Sequence, residues 1–132
     1  MAASNDDPAL TLFDGVPCEY SSVVASGSVV FTAGACPLDS TGRVIAPGDH
    51  VAQAGAALAN LERILDLRGA TASDLVRTTI YVVGERADLV SVWNVIATGL
   101  APHRPPSTLL GVTVLGHADQ LVEIDGIAAL PA

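Results

Sequence analysis

The stretch Leu75-Val-Arg-Thr-Thr-Ile-Tyr-Val-Val83 decides the fold. It is rich in β-branched residues, alternates weakly and contains neither glycine nor proline, the pattern of a strand buried on at least one face. Upstream, Val51, Ala54, Leu58, Leu61 and Leu65 recur at spacings of three and four, which predicts an amphipathic helix. Asp49 fits its N-cap and Gly69 its end. The small side chains of Ala52, Ala56, Ala57 and Ala59 let such a helix lie close against a sheet. Downstream, Glu85–Ala87 form a turn and Asp88–Leu100 a second helix, with Leu89, Val92, Trp93 and Ile96 on one side. A strand set between two helices calls for right-handed crossovers that stack both helices on one sheet face.

Further out, residues 1–16 are small, acidic and irregular, and Met1–Asp7 read as a frayed end. The expected division is therefore an irregular N-terminal arm over 1–16 and one folded domain over 17–132. Tyr20–Ala25 and Val29–Gly34 are β-rich runs around Ser26-Gly27-Ser28, a hairpin signal. A turn centred on Gly27 pairs residues whose numbers sum to about 54, which sets Cys18 opposite Cys36. Either a cross-strand disulfide or two reduced thiols satisfy that register, and reduced thiols suit an intracellular chain better. Residues 37–49 are a loop by their prolines and glycines. His103-Arg-Pro-Pro106 stops the second helix. Ser107–Leu115 and Gln120–Ala128 are two more β runs about Gly116-His-Ala-Asp119, a second hairpin or a close approach to one. The expected architecture is α+β, a two-layer sandwich of a six-stranded mixed sheet with two helices on one face. Its other face stays apolar, and a monomer seldom exposes so much apolar surface. Burial against copies of the same chain is expected.

The chain has 132 residues, half of them hydrophobic and 15% charged, enough for one packed domain. Its net charge is −8, and all basic residues are arginine. The absence of lysine excludes a Schiff-base lysine and a phosphate-loop lysine. The acidic balance argues against a nucleic-acid partner. No apolar run reaches the roughly 18 residues that span a bilayer, and the amino end lacks a cationic, hydrophobic leader. A cytoplasmic protein with no membrane partner is the expectation. Two cysteines without ligand spacing suggest neither a disulfide framework nor a metal site, and nothing calls for a cofactor.

Strong catalytic motifs are missing: there is no G-x-G-x-x-G, H-E-x-x-H, G-x-S-x-G or C-x-x-C. His50, His103 and His117 fall in loops or at a helix start and are expected to be solvated. The last strand is more informative. Alternation sets Leu121, Glu123 and Asp125 on one side and Val122 and Ile124 on the other. A carboxylate amid an apolar strand is costly to bury unless it is paired or lines a wet cleft. Glu123 is thus either part of a solvated edge-strand face or a cleft carboxylate serving as acid, base or water positioner.

Several stretches resemble the RidA/YjgF superfamily of enamine and imine deaminases. They are Glu19-Tyr-Ser-Ser22, Val30-Phe-Thr-Ala-Gly34 with Pro37-Leu-Asp39, Asn60-Leu61, Gly69–Thr79, Val92-Trp-Asn94 and Leu121-Val-Glu-Ile-Asp125, in the family's order over about residues 18–129. The resemblance implies a homotrimer of chorismate-mutase-like subunits with small-molecule clefts between neighbours. In that frame Tyr20 walls the cleft, Gly34 offers backbone hydrogen bonds, Asn94 shapes the pocket and Glu123 directs a water. The family's substrate-gripping arginine falls at Ser107, in Arg104-Pro-Pro-Ser-Thr-Leu-Leu-Gly-Val112. A neutral hydroxyl is about half as strong a donor as a charged one and selects poorly for anions. Arg104 reaches the cleft only if its loop folds back. Ser107 has no evident histidine partner for a hydrolase triad. The resemblance thus implies hydrolysis of an enamine or imine other than the 2-aminoacrylate type, with Glu123 and Ser107 as the catalytic candidates and Tyr20, Gly34, Asn94, Arg104 and Thr108 as the binding ones. The alternatives are a non-catalytic ligand-binding homologue and, against the charge balance, an endoribonuclease.

Overall fold

The computed structural model describes residues 28–131. In chain order the elements are β1 (Val29–Phe31), α1 (His50–Asp66), a short 3-10 turn (Ala72–Asp74), β2 (Leu75–Val83), α2 (Arg86–Leu100), β3 (Ser107–Val112) and β4 (Val122–Ala129). The sheet order is β1-β4-β2-β3. Strands β2 and β3 run parallel, while β4 runs antiparallel to both β1 and β2. The α+β class with two helices on a mixed sheet is as expected. The strand number is not: the described residues hold four strands rather than six. The run Tyr20–Ala25, the hairpin it was to form, Tyr20 itself and Cys18 lie outside the described residues.

The second expected hairpin is also corrected. Its two runs, β3 and β4, do not pair, because β2 lies between them. The connection over residues 113–121 is far longer than a tight hairpin loop and can cross the roughly 10 Å of two strand spacings. Burial explains the placement. Val122, Ile124, Gly126 and Ala128 are all buried, so β4 is a central strand, and a central strand needs a partner on each edge.

Helix α1 is capped by the Asp49 carboxylate, which accepts from the Ala52 amide at 3.0 Å. Its buried side is Gln53, Ala54, Ala57, Leu58, Leu61 and Leu65, the predicted face except for the exposed Val51. Beyond it Gly69 adopts a φ of +76°, which lets the Ala70 amide reach back to the Leu65 carbonyl at 3.0 Å. Helix α2 buries Val92, Ile96 and Leu100. Both helices cover one sheet face, and Leu75, Ile80, Val82, Val122 and Ile124 complete the core between the layers. Two of the histidines expected to be solvated are half-buried tethers instead. The His103 imidazole donates to the Leu75 carbonyl and that of His50 to the Val83 carbonyl, each at 2.7 Å, so they hold the two ends of β2. Among the described residues no helix is long and apolar enough to cross a membrane.

Candidate functional site

The outer sheet face, turned away from the helices, carries the side chains that sequence parity assigned to it. Register places Leu110, Tyr81 and Glu123 in one row across β3, β2 and β4, and Thr108, Thr79 and Asp125 in the next. Arg77 and Ile127 follow, with Phe31 beyond them on β1. Tyr81 donates its hydroxyl to Asp125 Oδ2 at 2.9 Å. That bond and partial burial push the Tyr81 phenol above its usual range, because ionising it would set two anions in contact. Arg77 Nη2 donates to Thr108 Oγ1 at 3.0 Å.

Glu123 is built into a bulge. Phe31 pairs with Ile127, but the next contact on that edge is Ala35 with Ile124, so three residues of the β1 side oppose two of β4. The extra residue is accommodated over Thr32–Gly34. Thr32 closes the gap, donating its amide to Gly126 O and accepting the Gly126 amide on Oγ1, both at 2.9 Å. Bulges commonly re-aim side chains beside functional sites. Here the bulge lays Gly34 over the Glu123 carboxylate, where a Cβ would fall 2.4 Å from Oε2.

Two donors meet the other oxygen. The Cys36 thiol lies 3.3 Å from Glu123 Oε1, and Gln120 Nε2 donates to the same atom at 3.3 Å. Cys36 is a free thiol, and burial together with the adjacent Glu123 carboxylate pushes its pKa up to about 11, partly offset by Gln120. Such a thiol stays protonated near neutrality, so it acts as a donor and not as a nucleophile.

Several sequence candidates stand elsewhere. Ser107 pairs with Thr78 and shares its inner face; its hydroxyl meets that of Thr78 and donates to Pro105 O at 3.0 Å. Thr108 is the β3 residue on the Glu123 face. Asn94 is exposed on α2, in the helix layer across the sheet from Glu123, and Arg104 is exposed in the loop before β3. Within one chain, then, Glu123 and Gly34 are brought together, Thr108 shares their face, and Ser107, Asn94 and Arg104 are not gathered with them. Gln120 and Cys36 were not singled out as site residues. The signal for Gln120 was a long amide placed directly before an apolar strand. A wide cleft also opens between residues 34–40 and α1, but Glu123 does not line it. Among the described residues no group of three or more His, Cys, Asp or Glu side chains stands close enough to hold a metal ion.

A two-helix α+β chain with a mixed sheet is the fold of the small Rid-type proteins. The family model described as endoribonuclease L-PSP matches residues 16–130, and the chain belongs to that family, the one that holds the RidA/YjgF and RutC proteins. It is 33% identical over 114 residues to the DfrA protein of Myxococcus xanthus, covering 85% of this chain and 84% of that one. Among solved structures, a Rid family protein of Yersinia pestis matches with a TM-score of 0.77 at 29% identity, over 85% of this chain and 86% of that one. TdcF of Escherichia coli with bound serine matches with a TM-score of 0.70 at 25% identity, over 87% of this chain and 89% of that one.

Proposed function

We propose that this protein hydrolyses the C=N bond of an enamine or imine in a cleft between subunits of a cytoplasmic homotrimer, with Glu123 directing the water. The observation that carries the reading is the Glu123 carboxylate, half-buried and aimed by the bulge, with one oxygen engaged by two neutral donors and the other turned to Gly34. In the reaction an enamine first tautomerises to its imine. Protonation of the imine nitrogen raises its electrophilicity, water adds to the carbon, and collapse of the carbinolamine releases ammonia and leaves a carbonyl compound. A carboxylate beside the carbon can take the proton from the attacking water and return one to the departing nitrogen. Tyr20, Gly34, Asn94, Arg104, Ser107 and Thr108 complete the site in this reading. With a serine in the position of the family's arginine, the substrate is one other than a 2-aminoacrylate-type acid, either neutral or lacking an α-carboxylate.

The homotrimer is supported by the outer face. On it Phe31 is 74% exposed and Leu110 41%, apolar side chains that a neighbouring subunit would cover. A reading without chemistry, a ligand-binding homologue, is favoured by the serine bound to TdcF. The endoribonuclease description of the family meets a chain of net charge −8 without lysine, a poor match to a polyanion.

One experiment separates these readings. Imines generated by oxidation of amino acids and of simple amines are offered to the wild type and to Glu123→Gln. Faster breakdown of the amine-derived imine, lost by orders of magnitude in Glu123→Gln, supports the proposal. Turnover unchanged in the variant rejects it. Robust hydrolysis of amino-acid imines rejects the substrate assignment.

A further inference from the structure

We propose that Gln120 is a positioning residue for Glu123, which together with the Cys36 thiol fixes Oε1 as the held oxygen and leaves Oε2 as the oxygen that meets the substrate water. The proposal rests on the reading of Glu123 as the water-directing group and adds which of its oxygens acts and what orients it.

The orientation of Gln120 follows from hydrogen-bond accounting. The side chain is buried, at 3% exposure, so each of its polar atoms needs a protein partner. Its Oε1 accepts the His117 amide at 3.2 Å, and its Nε2 donates to Val122 O at 3.1 Å and to Glu123 Oε1 at 3.3 Å. The flipped amide would set its oxygen against a carbonyl and a carboxylate while turning NH2 toward an N–H donor. Only one orientation is therefore compatible with the surroundings, and in it one N–H is committed to Glu123. The Cys36 thiol approaches the same oxygen from the bulge side, with Gly34 O as its second acceptor at 3.6 Å. Two donors on Oε1 and none of the described side chains on Oε2 make the carboxylate asymmetric. Oε2 instead packs against the Gly34 backbone, where the missing Cβ is what lets the carboxylate stand.

The pinning is itself braced. Gln53, fully buried in α1, donates Nε2 to Asp119 O at 2.9 Å and accepts the Leu121 amide at 2.7 Å, so the residues on both sides of Gln120 are held to α1. A rigid support of this kind is what a carboxylate needs to present one lone pair in a constant direction.

The test uses the full-length protein. In Gln120→Met, which is close in volume but donates nothing, kcat for the imine falls about tenfold or more while KM stays within about twofold, because the lost bond orients the acting group and does not bind substrate. Cys36→Ala lowers kcat less, and Cys36→Ser, which keeps a donor, recovers most of that loss. A kcat within twofold of wild type in both Gln120→Met and Cys36→Ala, with Glu123→Gln inactive, overturns the proposal while leaving the function intact. A direct readout needs no activity: in the wild type and in Glu123→Ala, the two side-chain amide protons of Gln120 are compared by NMR. The proton bonded to Glu123 should move upfield in the variant while the one on Val122 O stays. If neither moves, the positioning is refuted, whatever the enzyme does. If one moves but wild type and Glu123→Gln hydrolyse imines equally, the geometry stands and the function proposed above is the part that fails.

Discussion

Gly34 and Glu123 face each other across the β1–β4 seam so closely that the smallest possible side chain at Gly34 would sit 2.4 Å from Glu123 Oε2. The extra residue of the bulge creates this approach, and the missing Cβ permits it. Neither feature helps a plain β-ladder, in which a bulge leaves one residue unpaired. Both make sense if the carboxylate must be held at one place against the backbone of the seam.

Gly34→Ala tests that relationship. The clash is with a flexible carboxylate and not with backbone, so the fold survives and the carboxylate is displaced. Stability should fall by about 1–3 kcal/mol, and imine turnover by at least about tenfold. Much of the stability loss should vanish when Gly34→Ala is combined with Glu123→Ala. Chemical denaturation of the two single variants and the double variant measures the coupling, and simple additivity would show that the contact is not the cause.

Cys36 reports on the same carboxylate. A thiol pushed up to about 11 carries roughly a hundredfold less thiolate at pH 8 than one at the ordinary value of 9.0. In a Cys18→Ser background, iodoacetamide should therefore modify Cys36 about a hundredfold more slowly than a free model thiol, and Glu123→Gln should speed the reaction by removing the anion. The sign for stability follows. The folded state holds the thiol proton more tightly than the unfolded chain, so stability is undiminished below about pH 9 and falls as pH climbs toward about 11. Glu123→Gln should flatten that alkaline decline in a denaturation series.

Gln53 is a fully buried side chain whose loss should cost the fold. Its two amide donors and one acceptor bind Ala46 O, Asp119 O and the Leu121 amide, all in the segments that flank α1 and β4. Gln53→Met keeps the volume and strands Asp119 O and the Leu121 amide, while Ala46 O keeps the Asp49 amide, at about 3 kcal/mol, or a melting point about 10 °C lower by calorimetry. A change below 2 °C would mean that water replaces the glutamine without loss.

What the sequence made legible was face, and what it hid was neighbourhood. Period-two alternation correctly separated Glu123 and Asp125 from Val122 and Ile124, and spacing in α1 marked Ala54, Leu58, Leu61 and Leu65 as its buried side. Alternation says nothing about which strand lies alongside, so the sequence proximity of β3 and β4 points to a hairpin or a close approach to one, although β2 separates them. The bulge at Thr32–Gly34 was invisible for a related reason: one extra residue changes register without changing composition. The roles of Gln53, His50 and His103 are hidden because their partners are backbone atoms distant in sequence, and that of Gln120 because it depends on a local turn that brings it back to Glu123. For the glutamines a cue did exist, an amide set among alanines or before an apolar strand, where burial demands partners.

The outer face gives the last prediction, on assembly. Phe31 and Ile127 sit side by side on β1 and β4, and Leu110 lies on the same face of β3 in the row that holds Tyr81 and Glu123, with the row of Thr108, Thr79 and Asp125 between them. If subunits close on one another through this face, a charge at its most exposed member opposes burial while leaving the monomer core untouched, since Phe31 packs nothing on the helix side. Phe31→Glu should then sediment as a monomer at concentrations where the wild type is a trimer, and its circular dichroism should be unchanged. Imine turnover should fall with the loss of the neighbouring subunit's contribution to the cleft. A wild type that sediments as a monomer would remove the intersubunit cleft from the proposal. A Phe31→Glu variant that stays trimeric would place the interface on another face and leave Glu123 open to solvent.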